Sequence, residues 1–219
     1  MYGCLKNKGA LLVSMISIIA LSAISYPIHA DNIDTIVDLW DQVEAPAAVE
    51  LKPVTIVPGE TAFLVLDIQQ GVCNSQRRPR CVESVPKIKI FLEKARANGI
   101  TIVYSLTSSG TPSDILTDVA PHTNEPIVKS SVDKFYNTEL ESILQQKGIK
   151  TVIIAGTTAE GAVLHTATGA AIRGFQVIVP VDGMSAGTLY AEQYTAWHLV
   201  NAPGSRRRTT LTSFHLIGF

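Results

Sequence analysis

Little in this 219-residue chain points to a polymer partner. Lysine and arginine total 18 against 19 aspartates and glutamates, and aromatics are 6%, so the net charge of −1 leaves neither a basic nucleic-acid footprint nor a strongly acidic surface. The one dense basic cluster, Arg206-Arg207-Arg208, precedes the last predicted strand and reads as a solvated edge loop. No apolar run reaches the ~20 residues of a spanning helix. There is no internal repeat, no low-complexity tract and no glycine loop of the phosphate-binding kind. Cysteines number three, and a chain of this size buries a substantial core without covalent staples.

What is present begins with an export pattern. Lys6 and Lys8 are followed by an apolar run from Ala10 to Ser25, and Ile28-His29-Ala30 ends in a small residue. Charge, apolar run and small residue in that order predict a signal peptide over residues 1–30. The mature chain is then expected to start near Asp31, in a periplasmic or extracellular space, with no membrane attachment after cleavage. Cys4 precedes the apolar run instead of closing it, which argues against lipid attachment. Cys73 and Cys81 remain. In an oxidising compartment they can form a disulfide, with two unpaired thiols as the alternative.

Residues 31–58 read as an N-terminal arm, with a short amphipathic piece at Ile33–Val43 and a Pro- and Ala-rich stretch after it. Residues 59–219 read as one domain. Its first core strand is Ala62-Phe63-Leu64-Val65-Leu66, a continuous apolar run ending at Asp67, as strands buried on both faces read. Further strands are predicted over 101–106, 151–156, 176–180 and 209–213, and helices over 85–98, 138–147, 160–173 and 189–200. Gly99, Gly148 and Gly174 supply helix stops. Strand and helix alternate, which predicts a three-layer α/β/α sandwich with a mainly parallel central sheet. Ligands of such sheets bind beyond the strand C-termini, which directs attention to Asp67, Gly156 and the residues after each.

A carboxylate after a buried strand is costly unless it caps, pairs or works, and on composition alone Asp67 reads as a cap. Lys129, after two β-branched residues, reads on spacing alone as a surface lysine. The segment Ala155-Gly156-Thr157-Thr158-Ala159-Glu160-Gly161-Ala162 leaves a strand and enters a helix. Its small residues allow close approach of a ligand to free backbone amides, or merely a tight turn.

These three segments, in this order and at these intervals, resemble the isochorismatase-like (cysteine) hydrolases over residues 60–200. An apolar strand ending in Asp-x-Gln matches Val65 to Gln69. A lysine before a Phe-x-x-Thr-x-Leu helix start matches Lys129 with Phe135, Thr138 and Leu140. A strand, a glycine, a nucleophile and Thr-Ala within a helix match Thr151 to Ala167. The resemblance implies an isochorismatase-like, Rossmann-like fold, a catalytic acid/base pair of Asp67 and Lys129, and substrate contacts at Thr158, Ala162, Gln69 and Phe135. It also implies a non-proline cis peptide at Thr157–Thr158.

Ala162 falls where most of the family carries its nucleophilic cysteine. A methyl group forms no thioester. The isochorismatase branch resembles this chain in having a small residue there: an acid protonates the enol carbon of a vinyl ether, water attacks, and no protein nucleophile is needed. Carried over, Asp67 donates the proton and Lys129 holds its charge state. Glu160 is the candidate general base, favoured at a helix entrance by the dipole, and solvent exposure is its bland alternative. His165, one turn into the same helix, reads as a buried, satisfied histidine. His122, Asp114 and Asp118 are spaced poorly for a compact metal site, and neither metal nor cofactor is expected. The expected partners are a small polar or carboxylated substrate and further copies of the chain. The rival readings are a catalytically inactive small-molecule binder and an interaction protein acting through the arm.

Overall fold

The structure, a computed structural model, describes residues 34–219. The expected signal peptide lies outside the described residues. The chain divides into two units, Met1–Ala45 and Pro46–Phe219. In the described part of the first, Thr35 donates through its backbone N–H and its hydroxyl to Asp38 Oδ2 (2.8 and 2.6 Å). The only regular element described there is a 3₁₀ turn at Trp40–Gln42. The amphipathic piece expected at Ile33–Val43 is therefore no longer than a turn, which fits the cost of nucleating a short helix without tertiary support.

The second unit opens with β1 (Val54–Thr55), which pairs in parallel with the C-terminal β9 (Ile217–Gly218). The latter half of the expected arm is thus stitched to the domain, with Lys52 N–H donating to Leu211 O at 2.9 Å. β2 (Thr61–Leu66) follows, buried at every residue. The helix α1 (Pro79–Ala97) starts six residues earlier than the helical spacing suggests, because Pro79 is well suited to a first turn whose N–H groups lack partners anyway. Then come β3 (Thr101–Leu106), β4 (Ile127–Lys129), α2 (Leu140–Gln146), β5 (Thr151–Thr157) and α3 (Leu164–Ile172). The chain closes with β6 (Gln176–Pro180), β7 (Met184–Ser185), α4 (Leu189–Asn201) and β8 (Thr209–Thr212). β4 and β7 were too short to announce themselves as apolar runs.

The seven-stranded sheet has the order β4-β3-β2-β5-β6-β8, with β7 pairing β5, and every pair is parallel. Successive residues of the central strands face opposite ways. Phe63, Val65, Ile153 and Ala155 join α1's Ile88, Phe91 and Leu92 in one apolar cluster. Leu64, Leu66, Val152 and Ile154 join residues of α2, α3 and α4 in the other. The architecture is a three-layer α/β/α sandwich. Phe91 stacks on Phe214 at 4.7 Å between ring centroids and meets Phe63 edge-on at 5.1 Å, so an aromatic cluster fills the space between α1 and the sheet.

The winding fixes where a ligand can sit. From β2 the chain moves outward through β3 to β4, then returns to β5 on β2's other side and continues to β6. The connections after β2 and β5 therefore diverge, and the crevice between them is the topological switch point.

Candidate active site

Asp67 stands at that crevice. Register pairs Leu66 with Ser105 of β3 on one side and with Gly156 of β5 on the other, so the next residue leaves the sheet between two strand ends. Asp67 does so with φ of 54°, a conformation costly for a residue with a Cβ and tolerated best by Asn and Asp. Its carboxylate is spread over two partners. Oδ1 accepts from Ser105 Oγ at 2.7 Å, and Oδ2 lies 2.8 Å from Lys134 Nζ.

Lys134 is the correction the structure makes to the expected pair. Lys129 is the last residue of β4 and is exposed, whereas its neighbour Val128 is buried. Strand alternation turns the two to opposite sides. Lys134, five residues on, has no exposed surface. Beside Asp67, its ammonium meets the carbonyls of Ser131 (2.6 Å), Ser130 (3.2 Å) and Leu106 (3.4 Å). The loop that delivers it is tied to itself and to α3. Ser130 Oγ is within hydrogen-bonding distance of Asp133 O and Tyr136 O, Thr138 Oγ1 donates to Lys134 O, and Lys134 N–H donates to Thr166 Oγ1 at 3.2 Å. No rule of spacing separates the two lysines in sequence. The only hint is the crowd of Ser, Asp, Asn and Thr around Lys134, residues suited to local backbone bonding.

Burial pushes the Asp67 carboxyl above the ordinary carboxylate range, against the opposing pull of the Lys134 ammonium and the hydrogen bonds from Lys134 and Ser105. A buried acid with its proton held upward in pH and a fixed cation alongside is the combination an acid catalyst needs.

The other wall is the end of β5. Gly156 has φ of 136°, and a Cβ there would lie 2.1 Å from Leu66 O, so only glycine lets β5 come this close to β2 beside Asp67. The Thr157–Thr158 peptide is cis, as the resemblance implies. A π-helical turn, Ala159–Val163, then enters α3, with Val163 N–H donating to Thr158 O at 3.1 Å. Such turns recur at functional sites. Ala162 lies in this turn, buried within the apolar cluster, and Thr158 is half-buried. Glu160 is exposed on the same turn, and His165 is exposed too, contrary to the buried histidine expected.

Two expected substrate contacts have other work. Gln69 is buried with its amide engaged: Oε1 accepts from Thr107 N–H at 3.0 Å and Nε2 donates to Thr107 Oγ1 at 3.2 Å. It clamps the loop after β3. Phe135 is buried in the core, 6.1 Å from the Phe175 ring and covered by the Arg173 guanidinium at 4.6 Å. The adjacent Lys134 reaches the crevice because Phe135 anchors the loop from behind.

Cys73 and Cys81 form a disulfide that joins the loop after Asp67 to the first turn of α1. Among the described residues there is accordingly no free thiol. Apart from this crevice, a groove of about 640 Å³ lies between the Pro46–Leu51 segment and α4, and neither Asp67 nor Lys134 lines it.

Residues 61–210 match the model of the isochorismatase domain. The chain belongs to the isochorismatase family. It is 29% identical over 144 residues to the secreted isochorismatase effector of Verticillium dahliae, covering 60% of this chain and 76% of that protein. It is 31% identical over 153 residues to the N-carbamoylsarcosine amidase of an Arthrobacter species, covering 57% of this chain and 58% of the relative. In fold it is similar to an isochorismatase family protein of Desulfovibrio vulgaris, with a TM-score of 0.64, 21% identity, and coverage of 71% of this chain and 95% of the other.

Proposed function

We propose that this chain is an exported hydrolase of a small polar or carboxylated substrate, acting through Asp67, Lys134 and water without a cysteine nucleophile. The observation that carries the reading is the buried Asp67–Lys134 pair at the switch point of the sheet. Ala162 at the family's nucleophile position and the closed disulfide both support a route with no thioester. Export is supported by the N-terminal pattern and by the disulfide.

For a vinyl ether the steps balance with these groups alone. Protonated Asp67 donates to the enol carbon, leaving an oxocarbenium ion and a carboxylate. Water adds to the cationic carbon and returns a proton to Asp67. The resulting hemiketal collapses to a ketone and an alcohol. Lys134 keeps the transient carboxylate neutralised inside the crevice, and Ser105 orients it. Glu160, exposed and beyond the buried pair, has no part in these steps.

The test uses isochorismate as the vinyl-ether probe and N-carbamoylsarcosine as the amide probe. The expected result is cleavage of isochorismate, unaffected by iodoacetamide, and a loss of kcat/KM on the order of a hundredfold or more in Asp67→Asn. Because the donor must be protonated and burial raises its pKa, kcat/KM is expected to fall as pH rises through that raised value. Ser105→Ala removes a bond that favours the charged form, so it shifts this decline to higher pH. Undiminished turnover in Asp67→Asn, or inactivation by iodoacetamide, overturns the mechanism. Isochorismate binding that raises Tm without turnover makes the chain a binder.

A further inference from the structure

The loop between Asp67 and α1 carries an arginine that the proposed chemistry does not use. Val72 N–H and Cys73 N–H both donate to Gln69 O, and Gln69 N–H donates to Asp67 O, so the chain turns back tightly after the catalytic position. Arg78, the residue preceding α1, returns to this turn, its Nη1 donating to Val72 O at 3.1 Å. Its backbone is fixed at both ends, because Arg78 N–H donates to Asn74 O and Arg78 O accepts from Cys81 N–H. The Cys73–Cys81 disulfide closes the same loop, with Cα atoms 5.3 Å apart. Arg78 is thus half-buried on a rigid mount, its guanidinium held against the loop that follows Asp67.

What it lacks is an acid. Arg80 is bidentate on Glu192, Arg96 is paired with Glu125 and Arg173 with Glu141. Among the described residues Arg78 is in no ion pair. Burial lowers its pKa, its neighbour Arg77 adds to this, and the charge of Glu160 opposes it. Arg78 lies against the turn that follows β2, and Glu160 lies on the turn that follows β5 and holds Ala162, the two connections that diverge at the switch point. A partly desolvated guanidinium is a good receptor for a carboxylate, since its planar donors match two oxygens at once.

Resting on the reading of this crevice as the active site, we propose that Arg78 is its carboxylate clamp, a guanidinium without an acidic partner held at the entrance by a disulfide-closed loop. It is a specificity residue for an anionic substrate, and Glu160 is the residue that competes for it when the crevice is empty.

The experiment is calorimetric titration of the full mature chain with two probes of equal shape and different charge, benzoate and benzamide. Benzoate is expected to bind the wild type, to weaken about tenfold or more in Arg78→Gln, and to recover partly in Arg78→Lys. Benzamide is expected to bind the wild type and Arg78→Gln alike. Glu160→Gln is expected to tighten benzoate by about twofold, by removing a competing anion of rim strength. Equal benzoate affinity in wild type and Arg78→Gln overturns the clamp, as does equal loss of both probes or no benzoate binding by the wild type. Circular dichroism confirms that each variant is folded. The result separates from that of the hydrolase test: charge-selective binding through Arg78 with no turnover of isochorismate keeps the clamp and sinks the enzyme, whereas turnover indifferent to Arg78→Gln does the reverse.

Discussion

Where β2 and β5 begin, at the amino edge of the sheet, the chain follows ordinary rules. Gly148 ends α2 with φ of 66° and has open space where a Cβ would point, and the one ion pair beside it, Lys150 with Glu60 at 2.6 Å, is exposed on both partners. At the carboxyl edge those rules are set aside. Asp67 takes a positive φ, Gly156 touches the backbone of β2, a π turn replaces the regular start of α3, and a lysine with no exposed surface meets a buried carboxylate. Both edges belong to one sheet. The difference shows where stability has been set below geometry: local departures cluster where the crevice needs them.

Breaking the comparison should start with the lysines. Lys134→Met leaves Asp67 buried without its cation, and a loss of about 3–5 kcal/mol is expected in urea denaturation. Lys129→Met, on the exposed edge of β4, is expected to change stability by no more than about 0.5 kcal/mol. Equal effects would return the pair to Lys129. Next come the glycines. Gly156→Ala forces a Cβ onto Leu66 O and should cost on the order of 3 kcal/mol or more, whereas Gly148→Ala, strained only in its own backbone, should cost about 1–2 kcal/mol. The same denaturation curves read both.

The disulfide is a smaller lever. Cys73→Ser with Cys81→Ser opens a loop of sequence separation 8 and should lower stability by about 2–3 kcal/mol in the chain-entropy model, measured against the oxidised wild type. Smallest is Glu60→Gln. Its ion pair is solvated, and a change within about 1 kcal/mol is expected, shrinking further at high salt. A large effect there would remove the contrast between the two edges.

The legibility of the sequence follows the same division. The apolar run ending at Asp67 and the glycine stops announced the strands and helices because they record burial and chain reversal, which are local properties. The resemblance of three segments supplied the family and pointed to Asp67. It misassigned the cation, however, since Lys129 occupies the motif position and Lys134 occupies the space. Gln69 and Phe135 were read as contacts for substrate, yet one is spent on Thr107 and the other on Phe175. Arg78 had no signal at all, because its importance lies in a partner it does not have.

By itself, then, the order of residues determined the layered parallel fold and the strand ends at which chemistry can gather. Burial periodicity and right-handed crossovers leave few alternatives. Only the tertiary structure decided which lysine faces Asp67, whether Cys73 and Cys81 join, and that a half-buried arginine, Arg78, has no acid in ion-pair reach among the described residues. Each of those depends on where a loop's side chains land after it is tied to elements distant in sequence, and on a desolvation that no single segment contains.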